Sequence, residues 1–315
     1  MDEHSNQPDL IKAKATDGVL DLAIIGGGPA ALTAALYAAR AGLAVAVFDK
    51  QHIGGALTEI SKIANYPGFV GEGQELAKKM VEQARKFGAR IEYGTCEQID
   101  LPQESANDSL LGTLEGARPS LWPRKEPFTL SVDNNPISAR TVLIATGTEP
   151  RRLDLKTDKP VSYCALCDAP LYKGKNILVV GGGNSAVGES IYMADIVGHI
   201  TLVNRSPLRA EPAAIAKLRT LKNVEIKEST PLSDELINSA DAIFVFIGHD
   251  PATNFLPTEI LDDHKYVITD EHYQTTIPGL YAAGDVRAGS TKQAIIAAGE
   301  GAAAAIEIIN KLKHY

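Results

Sequence analysis

Two cysteines separated by two residues stand in the stretch SYCALCDAP as Cys164 and Cys167, with Asp168 directly behind the second. Thiols so spaced can form half of a tetrahedral metal site, staple a turn, or exchange electrons as a dithiol–disulfide pair. A zinc site needs two further ligands. The seven histidines (His4, His52, His199, His249, His264, His272 and His314) are scattered without a paired spacing, and the third cysteine, Cys96, stands alone. A staple across two residues constrains little of the unfolded chain, so redox exchange is the use the spacing favours. In that chemistry Asp168 is a carboxyl placed to move protons as thiolates form and are released. A structural role for Asp168, capping the turn into APLYKG, is compatible with the first. Cys96 follows IEYG in an expected strand and reads as a buried bystander.

A dithiol needs an electron source beside it, and the flanking sequence offers two nucleotide-binding units. Residues 21–25, DLAII, form a strand that runs into GGGPAA, a helix through LTAALYAARAG, and a second strand, LAVAVFD, ending at Asp49. Gly26 permits the tight turn, Gly28 lets backbone approach a pyrophosphate, and Ala31 lets helix pack on strand, while Pro29 and Ala30 open the helix whose free N–H groups meet phosphate. Asp49 is the acid expected to accept hydrogen bonds from ribose hydroxyls. The device recurs about 155 residues later, where NILVV leads into Gly181, Gly183, Asn184, Ser185 and Ala186 and then HITLVN. No acid closes this second unit. Arg205 and Arg209, with Ser206, could hold a 2′-phosphate or another anion there, or be ordinary solvated arginines.

The two units predict an α/β chain of two Rossmann-like, three-layer dinucleotide-binding domains. Strands are also expected in TVLIATG, AIFVFIG and GLYAAGD, and a helix through AIIAAGEGAAAAIEIINKLK. The C-terminal stretch has no βαβ start of its own and must complete the first sheet. The first domain is therefore expected to be discontinuous, 18–150 plus 253–315, with the second, 154–250, inserted into it. Residues 1–17 read as a polar arm, and 100–127, holding Trp122, as a surface excursion. A net charge of −8 over 315 residues excludes the basic footprint of a general nucleic-acid binder. The longest apolar run, from Ala30 to Phe48, is broken by Arg40 and Gly42, so no membrane span is expected. With no signal peptide visible, a cytoplasmic protein is expected.

From about Leu20 to Leu312 the chain resembles the low-molecular-weight thioredoxin reductases. IIGGGPAALTAALYAARAGL resembles their FAD fingerprint, and IGGALTEISKIANYPGFVG the segment that wraps the flavin, with Gly54, Gly55, Ala56, Leu57, Thr58 and Asn65. LIATGTEPRRL, with Ala145 and Gly147, is similar to the strand closing the FAD domain, and SYCALCD to the redox motif. VVGGGNSAVGES is similar to the pyridine-nucleotide fingerprint. The C-terminal stretch IPGLYAAGDV…TKQAIIAAGEG resembles the motif whose Gly284 and Asp285 meet the ribityl and phosphate end. By the same resemblance, Lys292, Gln293 and Ala294 are expected to lie beside the flavin ring. The resemblance implies FAD, a Cys167 that faces the flavin, a Cys164 that attacks a thioredoxin-like disulfide, Asp168 as acid/base, and a homodimer.

Three departures fall on the pyridine-nucleotide side. The family's HRRxxxR run is here NRSPLR, the acidic pair of the second fingerprint helix is Gly188-Glu189, and the second domain lacks length for an additional β-meander. The donor therefore stays open among NADPH, reduced ferredoxin, a second bound flavin and NADH. From Arg151 to Lys222 eleven Lys/Arg stand against six Asp/Glu, which suits an acidic carrier such as ferredoxin or simply a solvated surface. A reading of another class is a silent flavoprotein acting as redox sensor or scaffold. A ferredoxin–NADP reductase has no need of the CxxC.

Overall fold

The computed structural model describes residues 18–60, 63–101 and 126–313. The expected arm, 1–17, lies outside them, as does the expected excursion apart from its ends. The chain divides into two compact units. One gathers the described residues of Met1–Thr58, Lys62–Thr148 and Pro251–Tyr315, the other those of Glu59–Ser61 and Glu149–Asp250.

The first unit opens with β1 (Leu20–Ile25), α1 (Pro29–Arg40) and β2 (Val45–Asp49). Both strands are buried on both faces, as near-continuous apolar runs must be in a parallel sheet. A 3-10 turn, Gly55–Glu59, leads to β3 (Ile63–Tyr66) and β4 (Phe69–Gly71), an antiparallel pair, and then α2 (Gly73–Lys86) and β5 (Arg90–Tyr93). β6 (Cys96–Asp100), β7 (Phe128–Val132) and β8 (Asn135–Ile144) form an antiparallel meander. The β7–β8 turn is two residues, Asp133 and Asn134, both at positive φ, the chemistry a tight hairpin demands. β8 is longer than TVLIATG suggested, because its first half pairs with β7 and its second half runs parallel to β1.

β9 (Thr148–Pro150) leads into the second unit, whose elements are β10 (Val161–Ser162), α3 (Ala165–Asp168), β11 (Asn176–Val180), α4 (Asn184–Met193), β12 (His199–Val203), α5 (Pro212–Arg219), β13 (Val224–Lys227), α6 (Asp234–Ser239), β14 (Ala242–Val245) and β15 (His249–Pro251). Its sheet, in the order β10-β14-β11-β12-β13, is parallel throughout. β9 and β15 pair as a two-stranded ribbon. β14 stops earlier than AIFVFIG suggested: Phe246 donates its N–H to Val180 O, and its own carbonyl then turns against Gly181.

The chain finally returns to the first unit with β16 (Leu280–Ala282), which pairs parallel with β8, and α7 (Ala294–Lys313). The seven-stranded sheet runs β5-β2-β1-β8-β7-β6, with β16 beside β8. One face carries α1 and α7, sharing an alanine-rich core with Leu22, Ile24 and Tyr281. The other is covered through Phe128, Leu130, Ile260 and Val267. Small side chains on α1 (Ala30, Ala31, Ala34, Ala35, Ala38) let the two helices approach closely, and no helix among the described residues is long and apolar enough to cross a membrane.

Candidate functional site

Each unit builds a cradle at the carboxyl end of its sheet, where ligands bind in open α/β folds. In the first, Gly26 has φ +103, and a methyl there would stand 2.3 Å from Ala145 O, so only glycine fits between β1 and the end of β8. Above it the cradle is open: a methyl on Gly28 would meet nothing nearer than Gly55 Cα at 4.0 Å. Gly28 caps α1 without a side-chain bond to its first N–H groups, and those donors face the space a pyrophosphate needs. Asp49 accepts backbone N–H bonds from Gly27 at 2.7 Å, Gln51 at 2.9 Å and His52 at 2.7 Å. Two carboxylate oxygens offer about four acceptor positions, so one remains for a ribose hydroxyl. Gly55, Ala56 and Leu57 lie in the 3-10 turn beside Gly28, with Leu57 buried.

Asn65 reaches across the first unit to donate to Gln293 Oε1 at 3.1 Å. Lys292 contacts Tyr266 through both its hydroxyl (2.5 Å) and its ring. Gly147, at φ +65, follows Ala145 at the end of β8, and Ala294 starts α7. Asp285 sits behind Gly284 on the loop leaving β16. Burial raises its carboxyl above the usual range, Lys292 draws it down, and Glu300 raises it. The residues present therefore fit a dinucleotide with a flavin ring at one end.

The second unit repeats the first at an offset of 155 residues. Gly26 and Gly181, Asp49 and Asn204, and Gly54 and Arg209 are equivalent pairs. The hydrogen bonds repeat with them: Gly54 N–H donates to Gly27 O at 2.8 Å, and Arg209 N–H to Gly182 O at 2.7 Å. Gly181, at φ +146, is pressed against Phe246 O as Gly26 is against Ala145 O. The difference lies at the strand end. Asn204 does not sit as an acceptor; its Nδ2 donates to Ser206 O at 2.6 Å, Ser206 Oγ at 3.2 Å and Pro207 O at 3.3 Å. The amide is thus spent on folding the turn that presents Arg205 and Arg209. Asn184 Oδ1 accepts from Glu211 N–H at 2.8 Å and ties the far side of that turn to α4. The resulting cleft, about 480 Å³, is lined by Gly181–Ser185, Asn204, Arg205, Arg209 and Arg151. Arg151 is held by Asp250 at 2.8 Å.

Ala186 is buried beneath the turn, packing α4 on the sheet. Further along α4, Glu189 has its carboxyl pushed up to about 7, chiefly by burial and secondarily by the charge of Glu59. The loss of one acid at Gly188 therefore leaves a second carboxyl that is easily protonated.

The redox motif straddles the start of α3, with Cys164 immediately before the helix. Cys164 is disulfide-bonded, and its backbone is anchored by buried Ser162, whose Oγ accepts the Cys164 N–H at 3.1 Å. Asp168 donates its N–H to Cys164 O at 3.2 Å. The capping expected of Asp168 is absent: it stands at the N-cap of the 3-10 turn Ala169–Tyr172 with no side-chain bond there. A proton-transfer role keeps its carboxyl uncommitted. Cys96 is a buried free thiol, as expected, and burial pushes it up to about 11. No group of three or more His, Cys, Asp or Glu among the described residues could hold a metal.

Several site residues escaped the sequence reading. Arg151 had no motif to announce it, Asn204 looked like a mere missing acid, and Arg287 and Glu300 were hidden in loop and helix. The signal for Glu300 was an acid among alanines in the expected C-terminal helix.

Two glycine-turn βαβ units, with a disulfide-bonded cysteine directly before a short helix of the second, define a flavoprotein of the pyridine nucleotide-disulphide oxidoreductase class. The model of the family described as pyridine nucleotide-disulphide oxidoreductase matches residues 20–301. A thioredoxin reductase of Listeria monocytogenes is 34% identical over 313 residues, covering 90% of this chain and 91% of its own. The crystal structure of Lactococcus lactis thioredoxin reductase superposes with a TM-score of 0.79 at 28% identity, over 94% of this chain and 100% of that one. A ferredoxin-flavin thioredoxin reductase from Clostridium acetobutylicum matches with a TM-score of 0.51 at 28% identity, covering 94% and 99%. This chain belongs to the low-molecular-weight thioredoxin reductase family, an FAD-dependent group of disulfide oxidoreductase enzymes.

Proposed function

We propose that this enzyme passes electrons from FAD through the Cys164–Cys167 pair to the disulfide of a thioredoxin-like protein in the cytoplasm, working as a homodimer. The observation that carries the reading is the oxidised Cys164 immediately before α3, with Asp168 four residues on and making no capping bond. FAD, when bound, supplies the two-electron chemistry that links a hydride donor to a disulfide. The pair takes up two electrons, and Cys164 and Cys167 become thiolates or thiols. The Cys164 thiolate then attacks the partner disulfide, displacing one partner sulfur as a thiolate that Asp168 protonates. Cys167 attacks Cys164 in the mixed disulfide, releasing the second partner sulfur and restoring the Cys164–Cys167 bond. Each cycle moves two electrons to the partner.

The FAD site is assigned to the residues of the first cradle, in a domain of 18–150 plus 253–315. The second nucleotide site, in 154–250, is assigned to Gly181, Gly183, Asn184, Ser185, Ala186, Arg205 and Arg209. NADPH is the donor this cleft favours: the strand end carries no acid to repel a 2′-phosphate, and Arg205 and Arg209 line the same cleft. Likeness to a ferredoxin-flavin enzyme and the shortened basic run favour a second reading, in which reduced ferredoxin is the donor or a second flavin fills the cleft.

An anaerobic titration separates these. Bleaching of the flavin band by stoichiometric NADPH, with one flavin released per chain on denaturation, is the expected result. Bleaching by reduced ferredoxin alone, or two flavins per chain, would replace the NADPH reading with the second.

A further inference from the structure

Outside the residues already assigned, the described residues of the first unit include a charge cluster built on a buried carboxylate. Glu300, on α7, is 7% exposed. Its Oε2 accepts the Gly284 N–H at 2.8 Å and Arg287 Nε at 3.2 Å, while Oε1 accepts Arg287 Nη2 at 2.7 Å. Arg287 also lies over the Tyr273 ring, 5.2 Å from its centre, and Nη1 is 3.4 Å from Thr269 Oγ1. One carboxylate therefore grips the loop on both sides of Asp285, at Gly284 before it and Arg287 after it.

The same turn of α7 is locked to the phosphate end of α1. A methyl on Gly301 would stand 2.1 Å from Ala30 O, and one on Gly284 would stand 3.0 Å from Ala30 Cβ. Three backbones thus converge on Ala30: α1 where it opens, α7 at Gly301, and the loop after β16. A buried ion pair contributes little net stability, since desolvation offsets the attraction, whereas an apolar pair of like volume serves a core at least as well. What a forked carboxylate adds is a fixed geometry.

We propose that Glu300 is a positioning residue for the flavin cofactor, holding the Gly284–Asp285 loop in register with the Gly26–Ala31 turn through the Gly284 N–H and the Arg287 fork. This rests on the assignment of Asp285 and Gly284 to the FAD site. Without the carboxylate the loop keeps its sequence but loses its fixed distance from α1, and the cofactor must order it on binding.

The test uses paired substitutions, because removing one charge alone strands the other and destabilises the fold. Glu300→Leu/Arg287→Met removes the pair and the acceptor for Gly284. Glu300→Gln/Arg287→Met removes the charges but keeps an acceptor. The dissociation constant for FAD is measured by fluorescence quenching on folded apoprotein, with the thermal midpoint of each apoprotein recorded beside it. The leucine pair is expected to bind FAD at least tenfold more weakly than wild type, and the glutamine pair to recover to within about threefold. FAD affinity within twofold of wild type in the leucine pair overturns the proposal, whatever happens to the midpoint. Should the leucine pair not fold, Glu300→Gln alone carries the test: with the Arg287 charge left unpaired beside the loop it should lose more FAD affinity than the glutamine pair, and a loss no greater than that pair's overturns the proposal. Asp285→Ala is the control for the underlying assignment. If it leaves FAD affinity unchanged, the assignment itself fails; if it weakens FAD while the paired variants do not, only the role of Glu300 fails.

Discussion

Two glycines on one helix should respond to the same substitution with opposite signs. Gly299 and Gly301 both lie within α7. A methyl at Gly299 meets nothing within 4 Å, whereas one at Gly301 would stand 2.1 Å from Ala30 O and 2.8 Å from Ala30 C and Cα. Ordinary contact begins near 3.4 Å, so Gly301→Ala is about 1.3 Å too close to a backbone that cannot swing aside. Over-packing a core costs about 1–3 kcal/mol, and a clash with the rigid backbone of the neighbouring helix at Ala30 belongs at or above the upper end. At roughly 2–4 °C per kcal/mol for a unit of this size, Gly301→Ala should lower the thermal midpoint by about 6–12 °C. Gly299→Ala should raise stability by about 0.5–1 kcal/mol, the helix-interior advantage of alanine over glycine. Because Ala30 belongs to the FAD cradle, the first variant should also release flavin on gel filtration and the second should not. Differential scanning calorimetry of both holoproteins reads the effect. Equal midpoints for the two variants would refute the close α1–α7 packing on which the cradle depends.

Other expectations follow from the second unit and the buried groups. Asn204→Asp restores the acid that Asp49 supplies in the first unit; it should raise the KM for NADPH at least tenfold and narrow the preference over NADH, as initial rates with both nucleotides will record. Glu189 titrates higher in the fold, at about 7, than its ordinary 4.5. Its ionised form therefore weakens the native state, a penalty absent below about pH 4.5 and complete above about pH 7. Glu189→Gln should match wild type in stability near pH 4.5 and exceed it by about 1–3 kcal/mol at pH 8, measured by urea unfolding. Cys96, with its thiol held near 11, should stay unlabelled by iodoacetamide at pH 8 in the native protein and react on unfolding.

Much of this architecture could be read before any coordinates. The Gly26–Ala31 and Gly181–Ala186 turns announce themselves because a tight strand-to-helix turn admits few residues, and α7 matches its expected span from Ala294 to Lys313. What stayed hidden depends on where side chains turn. Asn204 looked like a lost acid, yet its amide builds the arginine-bearing turn through Ser206 and Pro207. Asp168 could have capped the next turn as well as moved protons, but its side chain makes no capping bond. Glu300 partners Gly284, sixteen residues earlier, by a bond that no local pattern encodes. The strand ends in β14 and β16 were also shorter than their apolar runs, because the glycine turns that follow claim the last residues.

The central claim, that the Cys164–Cys167 pair carries electrons from flavin to a partner disulfide, is best tested without any natural donor. Wild type and Cys164→Ser are reduced anaerobically with dithionite, freed of excess reductant, and mixed with an oxidised thioredoxin-like protein in a single turnover. With one equivalent of partner, wild type should yield two new partner thiols per chain; with excess partner, up to four, as dithiol and flavin both reoxidise. Cys164→Ser, with its FAD still bound, should yield none. Equal thiol yields from the two proteins would contradict the account.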